Sequence, residues 1–165
     1  MNEKKIIAVS GGFDPIHIGH IRMIQEAAAL GDELVVIMNN DHWLKKKKGY
    51  AFMPEHERKE IIESIAGVAR VVLTDHDEAC EDRSVCETLR AVRPHVFANG
   101  GDRKPDGDPV PEAMLCEELG IEMVYNIGRG GKVQSSSWLT AEDRNERDCF
   151  CGSGSKYIDC HGKAA

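Results

Sequence analysis

Five short apolar runs recur along this chain, and the segments between them carry helical spacing or glycine-rich turns. KIIAVS (Lys5–Ser10), ELVVIM (Glu33–Met38), RVVLT (Arg70–Thr74), HVFA (His95–Ala98) and Ile121–Asn126 read as strands. They are too short for helices and too continuously apolar for a sheet with one wet face, so the strands are expected to be covered on both sides. Ile18–Leu30 has helical spacing, with Gly31 as the expected C-cap. Pro54 is expected as the first residue of a helix reaching about Ile65. Arg83–Val92 and Pro111–Leu119 are two more helices, the second closed by Gly120, and Ser135–Trp138 opens a last short one. The lysine-rich stretch before Pro54 and the segment Gly100–Pro111 read as loops. Strand–helix alternation of this kind predicts an α/β, Rossmann-like open parallel sheet of about five strands with helices on both faces. Ligands of such sheets bind at the carboxyl ends of strands. The loops with unusual chemistry there are Gly11–Gly19, Asn99–Arg103 and Gly128–Ser137.

The 165 residues suit one domain, with room for a small appendage. A net charge of −7 argues against general binding to nucleic acid or anionic membranes. It leaves room for one phosphorylated small molecule in a locally basic pocket. No apolar run approaches the roughly 20 residues of a membrane span. Ile6–Val9 is too short for a secretory core, so a cytoplasmic protein is expected. Of the six cysteines, Cys80, Cys86 and Cys116 are scattered and read as free or buried thiols, whereas Cys149, Cys151 and Cys160 crowd the C-terminal end. A crowded set in a reducing compartment points to a metal site before a disulfide framework.

The stretch GGFDPIHIGH (Gly11–His20) leaves the first strand and enters the first helix. Its glycines let the backbone approach a ligand, and a helix N-terminus with open N–H groups favours anions. It matches neither GxGxxG nor the phosphate loop ending in Gly-Lys-Ser/Thr, which disfavours a dinucleotide cofactor or kinase-like hydrolysis. His17 and His20 are two candidate metal ligands or two phosphate donors. The absence of an acidic third ligand at helical spacing favours donors.

GGFDPIHIGH resembles the HxGH signature of the cytidylyltransferase-like nucleotidyltransferases, and the resemblance extends from Lys5 to about Leu139. In that family the two histidines bind nucleotide phosphates and stabilise the transition state at the α-phosphate. The segment LGDELVVIMNNDHWLKKKKGY, followed by PEHERKEII, is similar to the strand, Asp, lysine-bearing loop and Arg-containing helix of glycerol-3-phosphate and ethanolamine-phosphate cytidylyltransferases and of heptose-phosphate adenylyltransferases. NGGDR (Asn99–Arg103) and the pair of Arg129 with Ser135–Ser137 resemble the family's later segments, although the spacing from Arg129 to the serines is about one residue longer here. The resemblance implies catalytic roles for His17, His20, Lys47 and Arg129. It implies nucleotide contacts from Gly11, Gly12, Phe13, Asp14, Gly19, Gly101, Asp102, Ser135 and Ser136, and substrate contacts from Asp41, Lys45 and Arg58. It also implies Mg²⁺ accompanying the nucleotide, with Asp102 facing the nucleotide or the ion.

The C-terminal CFCGSGSKYIDCHG offers Cys149, Cys151, Cys160 and His161 in the pattern C-x-C-x8-C-H. Three thiolates and an imidazole make a closed tetrahedral set suited to structural zinc. This resembles the SEC-C zinc motif, which implies a structural site that can also dock a protein partner. The expected organisation is a nucleotidyltransferase domain (1–140), a linker (141–148) and the zinc motif (149–165). The expected activity is transfer of CMP, or AMP, from CTP or ATP to a small phosphorylated or phosphonate acceptor, with CTP favoured and pyrophosphate released. The alternatives are an adenylyltransferase on a sugar phosphate or mononucleotide, and a nucleotide-binding adaptor acting through its zinc tail. A homodimer is compatible with either.

Overall fold

The computed structural model describes residues 3–100, 111–141, 146–149 and 151–160. Five strands, β1 (Ile6–Gly11), β2 (Glu33–Met38), β3 (Val68–Leu73), β4 (Val96–Gly100) and β5 (Glu122–Ile127), form one parallel sheet in the order β3-β2-β1-β4-β5. The chain winds outward from β1 through β2 to β3, then crosses back to β4 on the other side of β1. The carboxyl ends of β1 and β4 therefore flank the switch point, where loops leave in opposite directions and open a crevice.

Alternation along the strands builds both faces. Ile7 and Val9 of β1, with Leu34, Val36 and Met38 of β2, pack under α1 (Ile18–Ala28) through Ile24 and Ala27. Ile62 of α3 (Glu55–Glu63) joins that cluster. Ala8, Ile37 and Phe97 face the other side, where Leu89 of α4 (Cys86–Val92) and Leu115 and Cys116 of α5 (Pro111–Leu119) cover them. Period-two strands between period-3.6 helices give the two-faced core the apolar runs predict. Cys116 is part of that core, and burial pushes its thiol up to about 11. A short helix, α6 (Ser136–Leu139), follows β5.

Two expectations are corrected. The lysine stretch is not a loop but a helix, α2 (Asp41–Lys48). Asn40 caps it through Oδ1, which accepts from the Trp43 N–H at 3.0 Å. Asp41 lies in its first turn, the four lysines fall where the C-terminal dipole favours cations, and Gly49 ends it at φ 86°. Gly31 does not cap α1, since Ala29 holds that position in right-handed conformation. Gly31 is instead a point of close approach: a Cβ there would stand 2.6 Å from the Lys5 carbonyl and 2.8 Å from the Ile7 side chain. Among the described residues no helix is long and apolar enough to cross a membrane.

Gly31→Ala should lower unfolding stability by about 1–3 kcal/mol, because a backbone carbonyl must yield. Urea unfolding of the two chains checks this, and an unchanged midpoint would show that the β1 entry has slack.

Candidate active site

The loop leaving β1 turns sharply at Phe13, whose φ of 52° is a left-handed value rare for a bulky residue. The turn sends the Phe13 ring inward, where it is 1% exposed and meets the His20 ring edge-on at 4.9 Å. Phe13 is thus a floor beneath the histidines. The loop then enters α1, and His17 is the N-cap residue.

The two histidines are held by a reciprocal cap. Nδ1 of His17 accepts from the Gly19 N–H at 3.1 Å, and Nδ1 of His20 accepts from the His17 N–H at 3.2 Å. The rings stack with centroids 3.8 Å apart and planes 25° from parallel. A nitrogen that accepts cannot carry the proton of a neutral imidazole, so both rings carry it on Nε2. The pair presents two Nε2–H donors beside a helix N-terminus. Burial lowers the His17 pKa; burial first, and His17 second, lower that of His20 to about 3. Both rings are neutral at physiological pH and donate without a full charge. Gly19 allows this arrangement, since a Cβ there would come within 3.0 Å of His17 Cε1.

Beneath this loop lies a buried charge network. Arg58 of α3 is 0% exposed. Its Nε donates to the Met53 carbonyl at 2.9 Å, and its Nη1 donates to the carbonyls of Gly12 at 2.7 Å and Asn39 at 2.8 Å. Its Nη2 meets Asp41 Oδ1 at 2.6 Å. Asp41 and Glu55 complete a mutual clasp, each backbone N–H donating to the other's carboxylate. Asp14, 2% exposed, accepts from the N–H groups of Phe52 (2.8 Å) and Met53 (2.6 Å) and pairs with Lys48 Nζ at 2.8 Å. The structure thus places Asp14, Asp41 and Arg58 under the site, joining the motif loop to the connection between α2 and α3.

The third loop reaches the same place. Ser136 Oγ donates to the Pro15 carbonyl at 2.9 Å, and Ser135 caps α6 by accepting from the Ser137 N–H at 3.2 Å. Val133 stands 3.7 Å from where a Gly19 Cβ would be. Arg129 and Lys45 are exposed, and Lys47 sits on the Trp43 ring at 4.6 Å. Gly12 touches that same helix: a Cβ there would meet Leu44 at 3.0 Å, and Gly11 packs on Phe13. Gly101, Asp102 and His161 lie outside the described residues. Sequence reading missed Lys48, which bonds Asp14, and Asn40, whose amide reaches the carbonyls of Thr74 and His76 at 3.1 and 2.6 Å. An Asn two residues after a strand and nine before a glycine was the available signal for a capped helix.

A second cluster stands in the C-terminal segment. The Sγ atoms of Cys149, Cys151 and Cys160 lie within 4.8 Å of one another, with Cys151 and Cys160 3.7 Å apart. A tetrahedron with metal–sulfur bonds of about 2.3 Å has edges of about 3.8 Å, so the spacing fits thiolates around one ion. Hydrogen bonding from Ser153 holds the Cys151 thiol down at about 6, which favours the thiolate.

Arg58→Met should lower stability by about 3–5 kcal/mol, since it strands Asp41 and three carbonyls. Arg58→Lys should recover only part, because one ammonium cannot span the fork. Paired denaturation curves measure both. Because His20 stays neutral when folded and protonates near 6.5 when unfolded, its contribution favours folding less as pH falls below 6.5. Between pH 7 and 5 the wild type should lose about 1–2 kcal/mol more than His20→Asn. Equal losses would show that the ring is not desolvated.

A family model described as cytidylyltransferase-like matches residues 8–125, well over half of the chain. The bifunctional protein HldE of Desulfatibacillum aliphaticivorans is 36% identical over 146 residues, which is 87% of this chain and 28% of that protein. The chain spans about a quarter of the length of such bifunctional relatives. The FAD synthase of Pyrococcus abyssi is 32% identical over 124 residues, covering 74% of this chain and 80% of that protein. Among solved structures, the lipopolysaccharide core biosynthesis protein of Thermoplasma volcanium GSS1 shares the fold with a TM-score of 0.60 at 25% identity, over 76% of this chain and 98% of that one. With the GGFDPIHIGH loop at the switch point of a parallel sheet, the chain belongs to the cytidylyltransferase-like family.

Proposed function

We propose that this protein transfers a nucleotidyl group from CTP or ATP to a small phosphorylated acceptor and releases pyrophosphate. The observation that carries the reading is the stacked His17–His20 pair, two Nε2–H donors at the start of α1. An anionic oxygen of the acceptor phosphate attacks the α-phosphorus, and pyrophosphate departs in line. The nucleophile is already charged, so no general base or covalent intermediate is needed, and catalysis reduces to positioning and charge stabilisation. The two imidazoles donate to the α-phosphate oxygens as negative charge builds there. Neutral donors suit this role, since they grip the developing charge without binding the ground-state phosphate as a full ion pair does. Lys47 and Arg129 supply the mobile positive charge, and Gly11, Gly12 and Gly19 allow close backbone approach. Gly101, Ser135 and Ser136 complete the nucleotide contacts, and Lys45 meets the acceptor.

Magnesium would arrive on the triphosphate and shield its charge. Asp14 and Asp41 are already satisfied by Lys48, Arg58 and backbone amides, so neither is offered to a cation. The family resemblance of NGGDR gives Asp102 the place facing the nucleotide or the ion. Relatives named FAD synthase make a dinucleotide by name, the product class of nucleotidyl transfer onto a phosphate. That supports ATP beside the CTP that the cytidylyltransferase resemblance favours. In the tail, Cys149, Cys151, Cys160 and His161 hold a structural zinc in a SEC-C motif (149–165), joined by 141–148 to the transferase domain (1–140). With four protein ligands that site has no open position for chemistry.

Because His17 also caps α1, alanine there removes a cap worth about 1 kcal/mol along with the donor. His17→Asn keeps the cap and loses the reach. It should cut turnover roughly 10²–10³-fold with the melting temperature and zinc content little changed. The assay screens CTP and ATP against phosphorylated alcohols, sugars and mononucleotides with pyrophosphate detection. Nucleotide binding with no pyrophosphate from any pair would make the protein a nucleotide-binding adaptor instead.

A further inference from the structure

The C-terminal segment does not stand apart from the site. The guanidinium of Arg147 lies over the Tyr50 ring, 4.5 Å from its centroid. Lys48 Nζ is 5.4 Å from the same centroid, and Lys48 is the cation that pairs with Asp14. Among the described residues the buried Tyr50 hydroxyl has no hydrogen-bond partner, and both cations meet the ring over its face. Tyr50 lies between Gly49, which ends α2, and Phe52 and Met53, whose N–H groups are gripped by Asp14. It therefore occupies the joint that fastens the lysine helix to the motif loop.

Arg147 is delivered to this joint by the cysteine knuckle. Its carbonyl accepts from the Tyr157 N–H at 2.8 Å, the Cys149 N–H donates to the Ser155 carbonyl at 2.7 Å, and Lys156 pairs with Asp148 at 3.0 Å. Gly152 and Gly154, both at φ 75°, turn the chain between the sulfurs. So small a knuckle has little apolar core of its own, and metal ligation is what folds units of this kind.

We infer that Arg147 is a positioning residue: the metal-folded cysteine knuckle sets it on Tyr50, and that contact keeps the 49–53 joint and the lysine helix seated on the motif loop. The inference rests on the zinc reading of the tail given above. It makes the zinc a remote support of the nucleotide site and not only a stabiliser of the tail. Removing the metal frees Arg147, loosens the joint, and lets α2 lift from the position that Lys48 and Asp14 define. The consequence is a higher KM for the nucleotide with kcat little altered, because the His17–His20 pair is fastened by its own cap.

The test is amide hydrogen exchange by mass spectrometry on the full chain. The zinc-loaded wild type is compared with the same protein after EDTA and with zinc-loaded Arg147→Ala and Arg147→Lys. Exchange in the peptide covering residues 50–53 should quicken about threefold on chelation and in Arg147→Ala, as expected for loss of an exposed cation–π contact. It should return most of the way in Arg147→Lys. Faster exchange within 149–160 alone, with 50–53 unchanged, would overturn the inference. A purified chain that takes up no zinc would overturn the zinc reading with it. Zinc-dependent exchange at 50–53 with no pyrophosphate from any substrate pair would sink the transferase proposal alone.

Discussion

The site depends on one buried guanidinium. Arg58 ties three segments far apart in sequence: the motif loop at Gly12, the end of β2 at Asn39, and the α2–α3 connection at Met53. Loops at the switch point of an open sheet have carbonyls turned away from any strand partner, and burying them unsatisfied is expensive. Arg58 meets three of them with one planar fork and neutralises its own charge on Asp41. Removing a charge from water is unfavourable by itself, so the arrangement holds only because every arm finds an acceptor. What results is a specified loop geometry, which a purely apolar packing would not fix.

Asp14 extends the same logic. Its carboxylate takes two backbone N–H groups and Lys48, so the Asp-Pro of the motif acts as a clamp on the chain beyond α2. Above these charges sit two neutral rings. Burial against Phe13 keeps His20 uncharged, and stacking on His17 discourages a second proton. The site separates its electrostatics into layers: fixed, paired charges below that set shape, and two neutral imidazoles above.

The sheet was legible because its signal is local. Short apolar runs and the helical spacing between them report burial on both faces, and all five strands lie within a few residues of their expected ends. The motif loop was legible for the same reason, since glycines, two histidines and a helix start are adjacent in sequence. The lysine helix was hidden because four consecutive charges read as a solvated run. What makes them helical is a cap at Asn40, a stop at Gly49, and acceptors on distant segments: Asp14 for Lys48, and Glu81 with the Cys80 carbonyl for Lys46.

The sequence alone determined the class of sheet, the carrier loop of the histidines and the grouping of three cysteines, because each is written in residue spacing over fewer than about fifteen positions. Only the tertiary structure decided which charged residues face outward. Arg58, Asp14 and Asp41 are expected from the sequence as ligand contacts, and in the fold each is engaged by partners of its own chain beneath the motif loop. The reason is physical: a charged side chain's role is set by the donors and acceptors within about 3 Å of it. Here those partners come from segments up to 46 residues away along the chain.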